Sequence, residues 1–446
     1  MASAYLTKTS TTVTNDKKFT VSAWVKGSDL GGSVQAGVCG HRSTTNNGNN
    51  SFQFGVFNGG YYAAFVSNSG NDVHINKVTN RLLRDVNAWY HLVIAVDSTL
   101  GTASDRVKMY INGELQTSFS TDVNPPQDRT FLNNSCNIDV GRLTYVDGTF
   151  KYWDGAIAHF HFVDGTAYPA STFGETDTTT GIWKPKTAPS VTYGNNGFFL
   201  KMDNSGNMGL DSSGNSNNFT TSGTIIQNKD TPSNVFATLN PLGKITTTST
   251  GSATFSNGNL TATDSGAQAQ NFCTLGVSVN TNGKWYYEAK YTSTTQVRGY
   301  SVGWATDSCL YYGTYAQAGS FILKSPTGET YNGSWTSNGN TLSSGDILGV
   351  ALDLENSEIK FYKNGVLDST VSSISFVGDF IFPAIQWGVN PTSNGVLDLN
   401  FGNGYFGTTA VSSAQNPDDG NGIFEYDVPT GYRALCTKSI NAEEYS

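Results

Sequence analysis

Apolar and polar residues alternate with period two along much of this chain. Phe19, Val21, Ala23 and Val25 interleave with Thr20, Ser22, Trp24 and Lys26, and Phe52, Phe54 and Val56 repeat the pattern. Successive side chains of a strand point to opposite faces, so each apolar set predicts one buried sheet face. No apolar pattern of period 3.6 persists for about twelve residues, and 81–89 and 408–415 have room for a short helical turn at most. The pattern predicts an all-β chain.

An internal echo sharpens the prediction. Residues 93–99 read VIAVDST and 106–115 read RVKMYINGEL; residues 349–355 read GVALDLE and 358–367 read EIKFYKNGVL. Each pair is an apolar strand ending at an Asp (Asp97, Asp353), followed by a second strand running into Asn-Gly. Asn112-Gly113 and Asn364-Gly365 predict type I′ hairpin turns, which need positive φ at both central residues. The equal spacing predicts one sandwich architecture used twice. Between the copies, 203–223 is rich in Asn, Ser and Gly, and 229–241 carries two prolines. We therefore expect a first domain over 1–225, with its core in 1–170 and a later strand near 198–225. A linker follows at 226–245, then a second domain over 246–446. The apolar residues of 424–436 predict a closing strand within that second domain.

Composition agrees with a β protein with wide polar loops: 49 Gly, 12% aromatic and only 14% charged residues in 446. A net charge of −9 without Lys/Arg clusters argues against a nucleic-acid partner. No apolar run reaches the ~18 residues that span a bilayer, so no membrane insertion is expected. The N-terminus shows no basic and apolar signal-peptide regions. The five cysteines (Cys39, Cys136, Cys273, Cys309, Cys436) are odd in number and widely spaced, which predicts buried free thiols in a protein made in a reducing cytoplasm.

FTVSAWVK (19–26), NAWYHLVIAVD (87–97), RVKMYINGEL (106–115) and DGAIAHFHFVDGTAY (154–168) resemble, in order, a laminin G-like, concanavalin A-like jelly roll. GKWYYEAKY (283–291), YSVGWA (300–305), 345–367, FIFPAIQW (380–387) and VLDLNFGNGYF (396–406) resemble a SPRY domain. SPRY domains are also concanavalin-like sandwiches, which accounts for the echo. The resemblance implies two concanavalin A-like antiparallel β-sandwich (jelly-roll) domains in tandem. The pairing, with PTGYRALCTKSI at 429–440, resembles virion structural proteins of tailed bacteriophages, marine ones especially. That resemblance implies a non-enzymatic module of a tail fibre, tail accessory or capsid surface. It would be assembled in the host cytoplasm, docked on other virion proteins as a homo-oligomer, and used for attachment to host surface polysaccharide or for decoration. A polysaccharide depolymerase of a tail spike and a cytosolic SPRY scaffold are the alternatives.

The catalytic inventory is thin. Asp353 and Glu355 share a strand face, but Ala351 stands where the first acid of the glycosidase pattern E-x-D-x-x-E belongs, so Asp353 is expected to end a strand at a turn. His159 and His161 alternate with Phe160 and Phe162, which predicts solvent-facing imidazoles and not a zinc pair; His41, His74 and His91 stand alone. GNGYFG (402–407) matches GxGxxG without the strand–helix setting that binds nucleotides. No catalytic residue is expected.

Binding chemistry is better represented. Laminin G-like jelly rolls often hold calcium at a loop rim, and Asp203, Asn204, Asn207, Asp211 and Asn215 supply oxygens for a Ca²⁺ site, although Asn, Asp and Gly are also what turns need. Aromatic residues in loops suit sugar recognition by stacking: Tyr145, Tyr152 and Trp153 in the first domain, and Tyr311, Tyr312, Tyr315 and Trp335 in the second. SPRY domains bind partners through loops at one end, which the resemblance places in the same second-domain region.

Overall fold

The computed structural model describes residues 4–28, 36–43, 51–57, 62–69, 72–144, 149–178, 180–246, 253–263, 269–293, 300–309, 318–386 and 395–444. They form two compact units, Met1–Gln227 and Asn228–Ser446.

The first unit is a sandwich of antiparallel sheets. One sheet runs in the order Phe198–Leu200, Gly155–Asp164, Lys18–Gly27, Tyr90–Asp97, Val107–Ile111, Glu114–Leu115. The other runs Phe119–Val123, Asp72–Leu82, Tyr62–Ser69, Ser51–Phe57, Ala36–Ser43, Cys136–Val140, Tyr5–Thr9, Thr220–Ser222. The alternating sets meet between them: Phe19 stacks on Phe52 at 5.3 Å, within a core that includes Val21, Ala23, Val25, Phe54 and Val56. Each fully buried Val or Phe side chain among them contributes roughly 1.5–3 kcal/mol. The alternate residues Thr20, Ser22, Trp24 and Lys26 are buried as well, because the chain beyond residue 165 folds back over the sheet's outer face. There the Thr20 hydroxyl donates to Thr166 O and accepts the Tyr168 N–H, each at 2.8 Å.

Both Asn-Gly turns are type I′, with φ of 50° and 83° at Asn112-Gly113 and 50° and 79° at Asn364-Gly365. In each, the Asn also reaches sideways to the neighbouring strand. Asn112 N–H donates to His91 O and its Oδ1 accepts the His91 N–H, both at 2.8 Å. Asn364 makes the same pair with Ile347, at 2.8 and 2.9 Å. The echo in sequence is therefore an echo in structure. An aromatic ring closes each turn: a Cβ on Gly113 would lie 3.0 Å from the Trp183 ring, and one on Gly365 2.7 Å from Tyr426. We expect Gly113→Ala and Gly365→Ala each to destabilise the chain by about 1–3 kcal/mol, read as a lower urea midpoint at unchanged slope.

In the second unit, one sheet runs Leu239–Thr246, Ala269–Cys273, Phe380–Gln386, Ser301–Thr306, Phe321–Lys324, Glu329–Asn332, Trp335–Ser337. The other runs Thr254–Ser256, Thr261–Thr263, Val396–Asn400, Lys284–Tyr291, Ile347–Asp353, Glu358–Lys363, Val366–Val371. Two buried tyrosines cross the core to the opposite backbone: Tyr287 Oη donates to Gly303 O at 2.6 Å and Tyr291 Oη to Tyr300 O at 2.9 Å. Both hydroxyls are thereby satisfied inside an apolar layer.

All but the first two residues of the stretch 226–245, expected as a linker, are instead built into this unit. The boundary falls at Gln227/Asn228, Leu239–Thr246 is an edge strand, and Phe236, Ala237 and Leu239 are buried. Asn234 and Val235 seat the C-terminal helix Thr437–Glu444, accepting the backbone N–H groups of Lys438 and Thr437 at 3.1 and 2.9 Å. The helix lacks an apolar face, and this outside capping explains how it forms without a hydrophobic pattern. The expected closing strand is short, Arg433–Ala434, and pairs parallel to Lys284–Tyr291. Residues 81–89 hold a strand end and a turn, and 408–415 the short strand Thr409–Ala410.

Candidate binding site

After the Cys136–Val140 strand the chain makes a small hairpin, Arg142–Thr144 paired with Phe150–Tyr152. The register sets Arg142 opposite Tyr152 and Thr144 opposite Phe150, so these four share one face, opposite Leu143. Leu143 is fully buried against two glycines of the Ala36–Ser43 strand: a Cβ on Gly37 would sit 2.3 Å from Leu143 Cγ, and one on Gly40 3.3 Å from Arg142 O. The missing side chains let the hairpin lie flat, which fixes its other face.

That face is a raft of rings around a cation. The Arg142 guanidinium lies 3.5 Å from the centre of the Tyr5 ring and 4.5 Å from that of Phe150. Tyr152 is 6.2 Å from Tyr5 and 6.3 Å from Phe150. Arg142 Nε and Nη2 both donate to Asp139 Oδ2, at 3.0 and 2.6 Å. Of the expected sugar-contacting residues, Tyr152 is in this raft. Trp153 beside it is structural, with its N–H donating to Ala156 O at 3.2 Å and its ring packed on the first core. Arg142, Phe150 and Tyr5 were not anticipated; the Asp147-Gly148 dipeptide between two short alternating runs is the sequence signal that marks the hairpin. Tyr145, Tyr311, Tyr312 and Tyr315 lie outside the described residues. Trp335 is half-buried, 5.1 Å from Tyr331, and packs on a minor cluster with Phe272 and Phe321.

The oxygens expected for calcium have local duties. Asp211 accepts the N–H groups of Phe199, Ser213 and Asn217 at 2.9, 2.8 and 2.8 Å, and the Ser213 hydroxyl at 2.8 Å. The Asn215 amide donates to the carbonyls of Gly194 and Gly197 at 2.6 and 2.9 Å, and Asn217 serves Asn195 and Gly197, both at 2.8 Å. Amide N–H groups thus hold carbonyl oxygens of the kind a cation would gather. Asn204 accepts the Gly206 N–H at 3.0 Å in an Asx turn, and its carbonyl accepts the Asn207 N–H at 3.1 Å, while Asp203 is exposed. Among the described residues no three His, Cys, Asp or Glu side chains form a metal-holding group. We expect calcium to leave the melting temperature unchanged, and Asp211→Ala to lower stability by about 1–3 kcal/mol through its stranded donors; calorimetry with calcium and with chelator checks both.

The histidines are not solvent-facing as expected. His161 is buried, stacked on Phe199 at 3.9 Å with Nδ1 2.8 Å from the Tyr193 hydroxyl, because the returning chain covers this face; burial pushes its pKa well down. His159 is half-buried at a bulge, with φ of 45°. His91 does not stand alone either. Its Nδ1 accepts the Trp183 N–H at 2.9 Å, so Nε2 carries the proton and donates to Ser22 Oγ at 2.8 Å. This tautomer cannot take a proton from Ser22, and burial lowers the His91 pKa to about 3. Asp353 ends its strand and, with Glu355, contacts Lys284 Nζ at 3.3 and 3.0 Å; Asn356 also donates to it. Burial opposes the Asp353 charge, but Asn356 and Lys284 outweigh it and hold its pKa below the usual carboxylate range. That is the wrong direction for a general acid. In GNGYFG, the Gly402 and Gly404 N–H groups turn inward to Asn400 Oδ1 at 2.9 and 3.1 Å, and a strand, Tyr405–Phe406, follows where a nucleotide site needs a helix.

No helix among the described residues is long and apolar enough to cross a membrane. No curated protein matches the chain. Solved structures similar to part of it include the SPRY domain of human HERC1, at 16% identity over 36% of this chain and 96% of that one, with a TM-score of 0.30. Stonustoxin matches at 19% identity over 37% of this chain and 27% of its own, TM-score 0.28. A heptameric SAP-like pentraxin from Limulus polyphemus matches at 14% over 37% and 72%, TM-score 0.29. Residues 1–171 match the concanavalin A-like lectin/glucanases superfamily, and residues 284–404 match the SPRY domain family. The chain thus joins an N-terminal concanavalin A-like domain to a C-terminal SPRY domain in an all-β binding protein.

Proposed function

We propose that this chain is a non-enzymatic structural protein of a tailed-bacteriophage virion, part of a tail fibre, tail accessory or capsid decoration. Its first unit attaches to host surface glycan through the Arg142–Tyr152 hairpin. The observation that carries the attachment reading is the hairpin itself: an exposed Phe150 and half-buried Tyr152 fixed on the sandwich by Leu143. The acids and histidines that might have served hydrolysis are engaged instead, Asp353 with Lys284 and His91 with Trp183. Other virion proteins are its docking partners, and a homo-oligomer suits the repeated sites of a particle.

Mass spectrometry of gradient-purified particles tests the location: the chain's peptides are expected at structural stoichiometry. Their absence from particles would overturn the reading in favour of a cytosolic SPRY scaffold. Release of reducing ends from host capsule or lipopolysaccharide by the purified protein would make it a depolymerase.

A further inference from the structure

The aromatic hairpin also specifies its ligand, an inference that rests on the glycan-attachment reading above. We propose that Phe150 and Tyr152, with Arg142 and Tyr5 behind them, form a subsite for an uncharged pyranose that presents its apolar C–H face. Arg142 serves there as the cation that holds the rings in place and as a hydroxyl donor at its edge, not as a receptor for an anion.

Charge is the first argument. Two guanidinium N–H groups already converge on one Asp139 oxygen, and the side chains of the pair are only 11% and 6% exposed. A sugar carboxylate would have to compete with a carboxylate that is already seated and largely dehydrated. A chain of net charge −9 also repels acidic polysaccharide at long range. A neutral ring meets neither obstacle.

Shape is the second. The guanidinium is laminated between Tyr5 and Phe150, with Tyr152 about equally far from both rings, so the rings and the cation make one continuous raft. Phe150 is 47% exposed. A large ring left in water contributes little to folding, but its fixed position removes the cost of ordering it on binding. Asp139 and the Tyr152 hydroxyl do not exhaust the five N–H donors of the guanidinium, and the remainder suit sugar hydroxyls.

The test is isothermal titration of the full chain with neutral hexose and N-acetylhexosamine oligosaccharides, beside counterparts bearing uronate or sialate, at low and high salt. Neutral ligands are expected to bind with a Kd insensitive to salt. Phe150→Ala should weaken binding roughly three- to tenfold, Phe150→Trp should retain it, and Arg142→Lys should weaken it although the charge is kept. Melting temperatures show that the variants fold. Salt-sensitive binding of the acidic ligands alone would overturn the proposal. Binding that survives Phe150→Ala and Tyr152→Ala unaltered would overturn it too, while leaving attachment elsewhere on the chain intact. Failure of every oligosaccharide to bind would remove the attachment reading as well.

Discussion

Asp368→Asn is expected to destabilise the second unit by about 3–5 kcal/mol, among the largest effects of any single substitution in the chain. Lys324 ends the Phe321–Lys324 strand of one sheet, and Asp368 lies on the Val366–Val371 strand of the other. Their charged atoms meet at 2.6 Å with both side chains sealed from water, at 0% and 1% exposure. Asn340 adds its backbone N–H and side-chain amide to Asp368 Oδ1, at 2.8 and 2.7 Å. Burial raises the Asp368 pKa, yet Lys324 and Asn340 outweigh it and leave the carboxyl below its ordinary value. Gly339 roofs the pair so closely that a Cβ there would lie 2.3 Å from Lys324 Nζ. Asparagine keeps the shape and removes the counter-charge, stranding an ammonium in a low-dielectric seam. Lys324→Met combined with Asp368→Leu should recover most of the loss, because a buried pair gains little over apolar residues of similar volume. Urea unfolding of the single and double variants measures both. A single variant as stable as the wild type would show that water reaches Lys324.

How far the sequence reaches can be judged at such residues. Alternation at Phe19–Val25 and Phe52–Val56 located core strands because period two depends only on neighbours along the chain. The Asn-Gly pairs located both hairpins because positive φ is a local demand. The Lys324–Asp368 pair was illegible, since its partners belong to different sheets and nothing in either local pattern points to the other. Residues 226–245 read as a linker because they follow the Asn/Ser/Gly-rich 203–223 and carry two prolines, yet Phe236 is buried, bridged to the distant Cys436. His161 read as solvent-facing because alternation tells which residues share a face, not whether later chain covers it. At the aromatic hairpin, Tyr152 was legible as an aromatic near Gly and Asp. Arg142 and Tyr5 were not, because their roles depend on strand pairing that brings residue 5 beside the hairpin.

A hidden outer face also governs the second large effect, a fall in the second unit's own stability of roughly 3 kcal/mol as pH rises from about 4.5 to 7, set apart from the first unit, where the lowered pKa values of His91 and His161 act in the opposite direction. Glu288 lies on the Lys284–Tyr291 strand and is fully buried beneath the C-terminal segment. Its two oxygens accept the backbone N–H groups of Glu425 and Tyr426, at 2.9 and 3.0 Å, the Asn400 amide at 3.3 Å and the Tyr286 hydroxyl at 3.3 Å. Burial dominates and lifts its pKa from 4.5 to about 7; the four donors pull the other way without prevailing. Between these values the folded state holds a proton that the unfolded chain has released, so stability declines with rising pH, by up to about 1.4 kcal/mol per unit. Below the window both states are protonated, and above it both are ionised, so the loss is complete near pH 8. Glu288→Gln should flatten this profile, giving a variant less stable than the wild type at pH 5, where one N–H loses its acceptor to the new amide, and comparable to it or better at pH 8. Urea titrations across this range read the slope, and amide exchange at Glu425 and Tyr426, corrected for its intrinsic pH dependence, localises it. A second-unit profile that falls no more steeply in the wild type than in Glu288→Gln would mean the four donors prevail over burial, and that the strand carries a permanent buried anion.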